Sequence, residues 1–475
     1  MIRVYKVLNF IIKRFLQDKK FCAFIDNLKI LPIIENEKFT FCYEVAGVEC
    51  KQFNKIYLKI ISGNSSFVDY LVFFQELEPK ASDNPLYAIE ETKTDDSESR
   101  NTGVYQRISK FVYLSYFYPN TKKIMLYNLS ITQKAKPTQT SIFGTKLLRT
   151  LGVRLAGKEF DCYTLKPFEN IAELIKFKAN MRKAPKGNVP IEIKLVDSSF
   201  DVRECPLAED DISIYTPNNK IQISARLIKN NALAHDPNIG AISGIAAALR
   251  KLGFSGKIEI IAHGLLQQHI KQKNKFLILA NLLHLTLEGL SIPKIDMNKE
   301  YWHYEQKGEK LATIFIHLVA ENFTGASAIF ENHAGCEKGY FITSEGKPIA
   351  LQKYEDKDLY KQGNKNARLF IPDLILLDID NLEIINIEGK KYENKNQGID
   401  ELKNYDFIEK TYIAKHYEKY KIIRTVVLFG SNEEKVIEVE IGFLLNSKGK
   451  MILGIQAPKL FVYAIKNLLD FWKQA

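Results

Sequence analysis

Three side chains in the last third of the sequence have the right types and spacing to hold a metal ion. Asp373 opens one apolar run, and Glu388 and Lys390 close the next, with fourteen residues between the two acids. Such apolar runs predict buried strands, and because side chains alternate along a strand, Glu388 and Lys390 are expected on one face. Carboxylate oxygens are the ligands that Mg²⁺ prefers, and an ammonium group can stabilise a phosphate. The pattern therefore predicts a magnesium site at a sheet edge.

The order Pro372-Asp373, fourteen residues, then Glu388-Gly389-Lys390 resembles the PD-(D/E)XK nuclease superfamily, which includes most type II restriction endonucleases. The resemblance extends over residues 365–430. It implies a restriction-endonuclease-like core, a central mixed β-sheet flanked by helices. It also implies that Asp373 and Glu388 bind Mg²⁺ while Lys390 positions the attacking hydroxide or offsets negative charge. The alternative is a surface β-hairpin with scattered charges.

A second stretch near the N-terminus follows the same logic. Residues 86–93 predict a mostly apolar strand that ends in Glu91-Thr92-Lys93, and Asp69 opens an earlier apolar run. Twenty-one residues separate Asp69 from Glu91, and no proline precedes the first acid. The stretch predicts a second catalytic set of Asp69, Glu91 and Lys93, with Asp69 and Glu91 as metal ligands. The alternative is an ordinary strand end followed by a solvated acidic loop.

Length and composition set limits on the class of protein. A chain of 475 residues exceeds one compact core, so several domains are expected. The net charge of +11 suits a polyanionic partner such as double-stranded DNA, because each neutralised phosphate releases a counterion. No apolar run is long enough to span a bilayer. The six scattered cysteines contain no Cys-x-x-Cys pair, which indicates reduced thiols in a cytoplasmic protein.

The pattern along the chain predicts a multi-domain α/β (α+β) protein, with one or two nuclease-like cores. Residues 1–24 predict an amphipathic helix of the fold rather than a signal peptide. In the middle of the chain, a helix over 241–252 and a strand over 257–264 predict an α/β unit without a phosphate-binding glycine motif. The expected divisions are 1–135 (possible N-terminal nuclease-like domain), 136–190 (linker and basic arm region), 191–300 (α/β middle domain, possible DNA recognition) and 301–475 (C-terminal PD-(D/E)XK nuclease domain).

The resemblance implies a sequence-specific, Mg²⁺-dependent endonuclease of the type II restriction kind. Its expected partners are double-stranded DNA and a companion DNA methyltransferase, and it acts as a monomer or a homodimer. If both acidic sets are active, the chain resembles the monomeric type IIS enzymes, in which two unlike nuclease domains each cut one strand. Two alternatives stay open: a non-specific repair or phage-defence nuclease, and a non-catalytic DNA-binding protein with a decayed nuclease fold. The sequence does not separate DNA from RNA as substrate.

Overall fold

The structure, a computed structural model, divides the chain into two compact units. One unit contains Met1–Gly63, Val72–Pro79 and Gln306–Ala475, and the other contains Asn64–Leu71 and Lys80–Glu305. The residues that the structure describes are 22–35, 38–61, 67–92, 103–127, 139–157, 165–181, 212–216, 220–226, 237–263, 266–270, 275–295, 308–332, 340–351, 362, 370–429, 443–445, 451–453 and 457–474.

Helices and strands are mixed throughout the described residues, which confirms the predicted α+β class. The strands are β1 (Cys22–Glu35), β2 (Lys38–Cys50), β3 (Lys55–Ile60), β4 (Tyr70–Gln75), β5 (Tyr87–Thr92), β6 (Lys122–Tyr127), β7 (Arg154–Gly157), β8 (Ile212–Tyr215), β9 (Ile221–Arg226), β10 (Ile258–His263), β11 (Leu285–Leu287), β12 (Ser327–Glu331), β13 (Tyr340–Ile342), β14 (Pro348–Ala350), β15 (Leu374–Asp378), β16 (Glu383–Lys391), β17 (Lys421–Phe429), β18 (Phe443–Leu445) and β19 (Met451–Leu453). The helices are α1 (Gly103–Phe117), α2 (Gln139–Thr150), α3 (Ile171–Ala179), α4 (Pro237–Lys251), α5 (Lys275–Leu282), α6 (Gly308–Phe323), α7 (Lys395–Leu402) and α8 (Lys459–Gln474). Short helical turns continue α7 through residues 403–416. None of the described helices has the length and apolar character needed to cross a membrane.

A mixed sheet forms the core of the first unit, in the strand order β12-β15-β16-β17-β18-β19. The strands β12, β15 and β16 are antiparallel neighbours, whereas β17 runs parallel to β16 after the crossover through α7. Helices cover both faces of β16. A Cβ at Gly389 would lie 2.3 Å from Thr313 of α6, and the next side chain, Lys390, packs against Gly398 of α7. Because consecutive strand residues face opposite sides, β16 is buried on both faces, which explains its long apolar run.

The turn between β15 and β16 fixes which residues of the two strands meet. Asp378 accepts hydrogen bonds from the main-chain N–H and the side-chain amide of Asn381, at 3.2 and 2.8 Å. Leu382 completes the turn with a positive φ of 53°. The resulting register pairs Leu374 with Ile387. The turn therefore brings the residue before β15 beside the end of β16.

The second unit contains three parallel strands, β5, β6 and β7, that lie side by side. Helix α1 connects β5 to β6, and α2 connects β6 to β7. A further sheet of this unit has the order β11-β10-β9-β8, and α4 lies between β9 and β10 in the chain. The predicted helix over 241–252 and strand over 257–264 are confirmed as α4 and β10.

The first half of the chain differs from the predicted pattern in two places. The helix predicted over 1–24 is wrong at its end, because Cys22, Ala23 and Phe24 pair with β2 as part of β1; the rest of that prediction lies outside the described residues. The stretch 136–190, predicted as a linker, includes α2, β7 and α3. Its basic part from 182 onward lies outside the described residues. The other boundaries of the four-part domain division stay predictions.

Close packing of α4 on α1 gives a stability prediction. A Cβ at Gly240 would lie 2.1 Å from the main-chain oxygen of Tyr105, whereas one at Gly244 would meet the Ile108 side chain at 2.6 Å. A side chain can rotate away but a main chain cannot. We therefore expect Gly240→Ala to lower the free energy of unfolding by about 1–3 kcal/mol and Gly244→Ala to lower it less. Thermal unfolding of the two variants measures the difference, and equal losses would contradict this packing.

Candidate metal centre at the end of β16

Asp373 is fixed in place by hydrogen bonds on three sides. Its main-chain N–H donates to the carbonyl of Ile387 at 3.0 Å, and its carbonyl accepts from the N–H of Asn332 at 2.7 Å. Its carboxylate oxygen Oδ2 accepts the main-chain N–H of Gly389 at 3.0 Å. The side chain is buried. Asp373 therefore lies at the junction of three strand ends, with its carboxylate directed at the Glu388-Gly389 segment.

Glu388 is the second buried acid, and both of its oxygens are engaged. Oε1 accepts from the Lys390 ammonium at 2.6 Å, and Oε2 accepts a short hydrogen bond from the hydroxyl of Tyr405. Lys390 is shared with a third acid, because its Nζ also lies 2.6 Å from Oε2 of Glu401 on α7. The predicted Asp373, Glu388 and Lys390 are thus brought together, with Tyr405 and Glu401 added from the helical segment.

The charges of this group perturb one another. Burial and the nearby charge of Asp373 raise the pKa of Glu388 to about 7, although Lys390 and Tyr405 oppose the rise. Burial alone would lower the pKa of Lys390, but its contacts with Glu388 and Glu401 outweigh burial and raise that pKa. Burial also raises the pKa of the Tyr405 hydroxyl, and the charge of Glu388 raises it further. The lysine is therefore a permanent cation, and the tyrosine a permanent hydrogen-bond donor.

The donor set fits a hard divalent cation. Asp373, Glu388 and Glu401 supply three carboxylates against the single ammonium of Lys390, so the group carries an excess of negative charge. Each carboxylate oxygen can accept more than one contact. In addition, the side-chain oxygen of the neighbouring Asn332 is buried and has no hydrogen-bond partner. All these donors are oxygens, as Mg²⁺ requires.

A cation here would depend on main-chain or solvent oxygens as well as on side chains. Within the described parts of the chain, no cluster of three or more His, Cys, Asp or Glu has the arrangement of a metal cage. Of the three carboxylates, Asp373 and Glu388 are the two candidate side-chain ligands. Mg²⁺ commonly keeps several waters and uses one or two carboxylates, so this set is sufficient.

Gly389 is required by a close approach rather than by a special φ. A Cβ there would lie 2.3 Å from Thr313 Oγ1 and 3.0 Å from the carbonyl oxygen of Glu309, both on α6. It would also lie 3.2 Å from the Asp373 carboxylate. A larger residue would push α6 away from β16 and disturb the N–H bond to Asp373. The middle position of Glu388-Gly389-Lys390 is therefore constrained as tightly as its ends.

The N-terminal set is brought together only in part. Oδ2 of Asp69 accepts the main-chain N–H of Glu91 at 2.9 Å, so these two residues do meet. The buried Glu91 carboxylate lies 3.5 Å from the hydroxyl of Tyr70. Lys93, the third member, lies outside the described residues. The catalytic site of Asp69, Glu91 and Lys93 therefore stays a prediction.

Glu90, the acid that precedes Glu91 on the same strand, is also buried. Glu90 is 3% exposed, and burial together with the charge of Asp69 raises its pKa to about 7. Its Oε1 lies 2.7 Å from the ammonium of Lys110 on α1. Sequence reasoning missed Glu90 and Lys110 here, as it missed Tyr405 and Glu401 in the other centre. Two consecutive acids at the end of β5 were the available signal, but the Glu-x-Lys spacing selects the second.

Comparison with known proteins adds no relative. No family model matches the sequence, and neither the curated proteins nor the solved structures give a match.

The raised pKa of Glu388 predicts an unusual pH dependence of stability. Because its pKa is about 7 in the folded chain and lies near 4.5 when unfolded, the folded state holds the proton more tightly and stability falls between these pH values. Without divalent cations at pH 8, Glu388→Gln should therefore raise the free energy of unfolding by about 1–3 kcal/mol, and at pH 4 it should not. Thermal unfolding in EDTA at both pH values is the measurement.

Glu401→Gln is the matched control for this experiment. Burial tends to raise the pKa of Glu401, but the hydrogen bond from Lys390 outweighs it and the pKa is lowered. Its ionised form therefore stabilises the fold above its pKa, so Glu401→Gln should destabilise the protein at pH 8. If both variants shift the unfolding midpoint in the same direction, the electrostatic description of the centre is wrong.

Proposed function

We propose that this chain is a Mg²⁺-dependent endonuclease that hydrolyses phosphodiester bonds of double-stranded DNA at specific sequences, as a type II restriction enzyme does. The observation that carries the proposal is the meeting of Asp373, Glu388 and Lys390 at one sheet edge. Two buried carboxylates from adjacent strands, with an ammonium paired to one of them, are a costly arrangement in a protein that binds no cation.

The order of the surrounding elements supports the same assignment. A PD-(D/E)XK core needs a strand that ends in Glu-x-Lys, then a helix, then a further strand of the same sheet. In this chain β16 ends in Glu388-Gly389-Lys390, α7 follows, and β17 returns parallel to β16. The sheet is mixed, with the antiparallel β15 on the other side of β16. This order is consistent with a restriction-endonuclease-like core.

In this proposal Asp373 and Glu388 hold the metal ion. When bound, Mg²⁺ lowers the pKa of a water molecule and offsets the charge that builds on the phosphate. Hydrolysis adds the water oxygen to phosphorus and breaks one ester P–O bond; one proton passes to the departing oxygen and the other to solvent. Asp373 keeps its orientation through the N–H of Gly389, and Glu388 through Tyr405.

Lys390 serves this reaction as a cation and not as a general base. Its pKa is raised, so it does not release its proton near neutral pH. An ammonium fixed between Glu388 and Glu401 can stabilise negative charge on a phosphate oxygen without reorganising. The Glu401 contact also fixes the end of the flexible lysine side chain, which reduces the entropy lost when substrate binds.

The charge and the two-unit organisation of the chain bear on the choice among nucleases. The net charge of +11 favours a nucleic acid as substrate, and the intact acid, acid and lysine set is an argument against a decayed, non-catalytic nuclease fold. Sequence specificity is proposed because the chain has a second compact unit large enough to read DNA. A non-specific repair or phage-defence nuclease would use the same centre. Digestion of a mixed plasmid pool separates the two, because a specific enzyme gives discrete bands and a non-specific one a smear.

Asp373→Asn tests the catalytic assignment. Removing one negative charge from the proposed metal ligands should lower the rate at which plasmid is cut to linear DNA in Mg²⁺ by at least about 10²-fold, while binding of the DNA in Ca²⁺ persists. Plasmid cleavage and gel-shift titration measure the two properties.

The matched control is Asp380→Asn, an exposed acid in the turn of the same hairpin, which should cleave as the unchanged protein does. Linear product from Asp373→Asn at the rate of this control would contradict the assignment.

A further inference from the structure

The end of β5 repeats the hydrogen bond that organises the centre at β16. In the C-terminal centre the Asp373 carboxylate accepts the N–H of Gly389 at 3.0 Å. In the second unit the Asp69 carboxylate accepts the N–H of Glu91 at 2.9 Å. Both bonds join an acid ahead of one strand to the main chain near the end of another. The bond therefore gives a residue-by-residue correspondence that does not depend on sequence spacing.

This correspondence selects Glu90, not Glu91, as the second acid. The residue before the donor N–H is Glu388 in one centre and Glu90 in the other. Both side chains are buried, with exposures of 6% and 3%. Because consecutive side chains of a strand face opposite sides, Glu91 lies on the other face of β5 from Glu90.

The lysine also has a counterpart, but it comes from a helix. Lys110 Nζ lies 2.7 Å from Glu90 Oε1, as Lys390 Nζ lies 2.6 Å from Glu388 Oε1. Lys110 belongs to α1, which joins β5 to the parallel strand β6. In the C-terminal centre α7 likewise joins β16 to the parallel strand β17. The crossover helix thus borders the acidic end of the strand in both units.

One carboxylate oxygen at the end of β5 has no hydrogen-bond partner. Oε2 of Glu90 is buried and accepts no hydrogen bond, and Arg107 Nε lies 3.9 Å from the other oxygen, Oε1. Arg107 Nε is itself buried without a hydrogen-bond partner. A buried carboxylate oxygen without a donor is costly and is rare in folded proteins. A divalent cation held between Asp69 and Glu90 would satisfy it with the ligand type that Mg²⁺ prefers.

We propose that Asp69 and Glu90 bind a second divalent cation, and that Lys110 stabilises phosphate charge there as Lys390 does in the first centre. This set replaces the Asp69, Glu91 and Lys93 set that the spacing predicts. The substrate assigned to this centre rests on the proposed nuclease function. The reaction is the same hydrolysis of a phosphodiester, in which water adds to phosphorus and one ester oxygen leaves. A chain with two unlike centres would cut one strand of a duplex with each.

Counting bound Mn²⁺ on the full-length chain tests the centre without relying on activity. In a Glu388→Gln background, which disables the first centre, one Mn²⁺ should remain bound, as measured by electron paramagnetic resonance. Adding Glu90→Gln should remove it, and adding Glu91→Gln instead should not. These two substitutions are chemically identical and adjacent, so they are matched controls for each other. Circular dichroism checks that each variant is folded.

Assigning the second ion to Glu90 and assigning it to Glu91 predict opposite results. Loss of the second ion with Glu91→Gln, or its retention with Glu90→Gln, would overturn the proposal. Lys110→Met provides a variant in which both acids are intact: it should keep the ion but convert a supercoiled plasmid to nicked circles rather than to linear DNA. Linear product from Lys110→Met at the unchanged rate would also count against the centre.

Failure of the nuclease function and failure of the second centre give different outcomes. If Mn²⁺ binding follows Glu90 while plasmid stays uncut by the unchanged chain, the metal centre stands and the nuclease proposal fails. If the chain cuts plasmid at discrete sites and Glu90→Gln alters neither ion binding nor double-strand cutting, the nuclease proposal stands and the second centre fails.

Discussion

The acceptance of a main-chain N–H by a carboxylate from a neighbouring strand is the interaction on which the candidate centre depends. Asp373 would otherwise be a buried charge beside a second buried charge, Glu388, at a cost of several kcal/mol. The N–H of Gly389 offsets part of that cost and fixes the direction of the carboxylate. This hydrogen bond requires the observed register between β15 and β16. The turn at Asp378 and Asn381 fixes that register and so helps to position the site.

Helices on both faces of the sheet fix the side chains that the strands supply to the centre. The strands alone would present two acids and one lysine with many rotamers. Helix α7 adds Glu401, which fixes the Lys390 ammonium, and the turn after it adds Tyr405, which donates to Glu388. On the opposite face α6 approaches so closely that only glycine fits at position 389. The candidate centre is therefore held from both faces of the sheet, which is the kind of support that a preorganised site requires.

Much of this fold could be predicted from the sequence because buried strands and amphipathic helices leave periodic signals. The strands that carry Asp373, Glu388 and Lys390 were predictable from their apolar runs, and so was the helix that follows. Tyr405 was not, because a residue seventeen positions after Glu388 contacts it only through the crossover. A motif based on spacing does not find Glu90 and Lys110 for the same reason, because their ion pair joins a strand to a helix twenty positions away. A motif that assumes both groups on one strand gives Glu91 and Lys93 instead.

The role of Asp373 and Glu388 in holding a catalytic divalent cation can be observed by anomalous diffraction. Crystals of the full-length chain with a short duplex containing its cleavage site, soaked in Mn²⁺, would show the ion itself. We expect an anomalous peak within coordination distance, about 2.1 Å, of carboxylate oxygens of both Asp373 and Glu388, with a DNA phosphate beside it. Ordered DNA with no peak between these two carboxylates, or a peak held by other residues only, would contradict it.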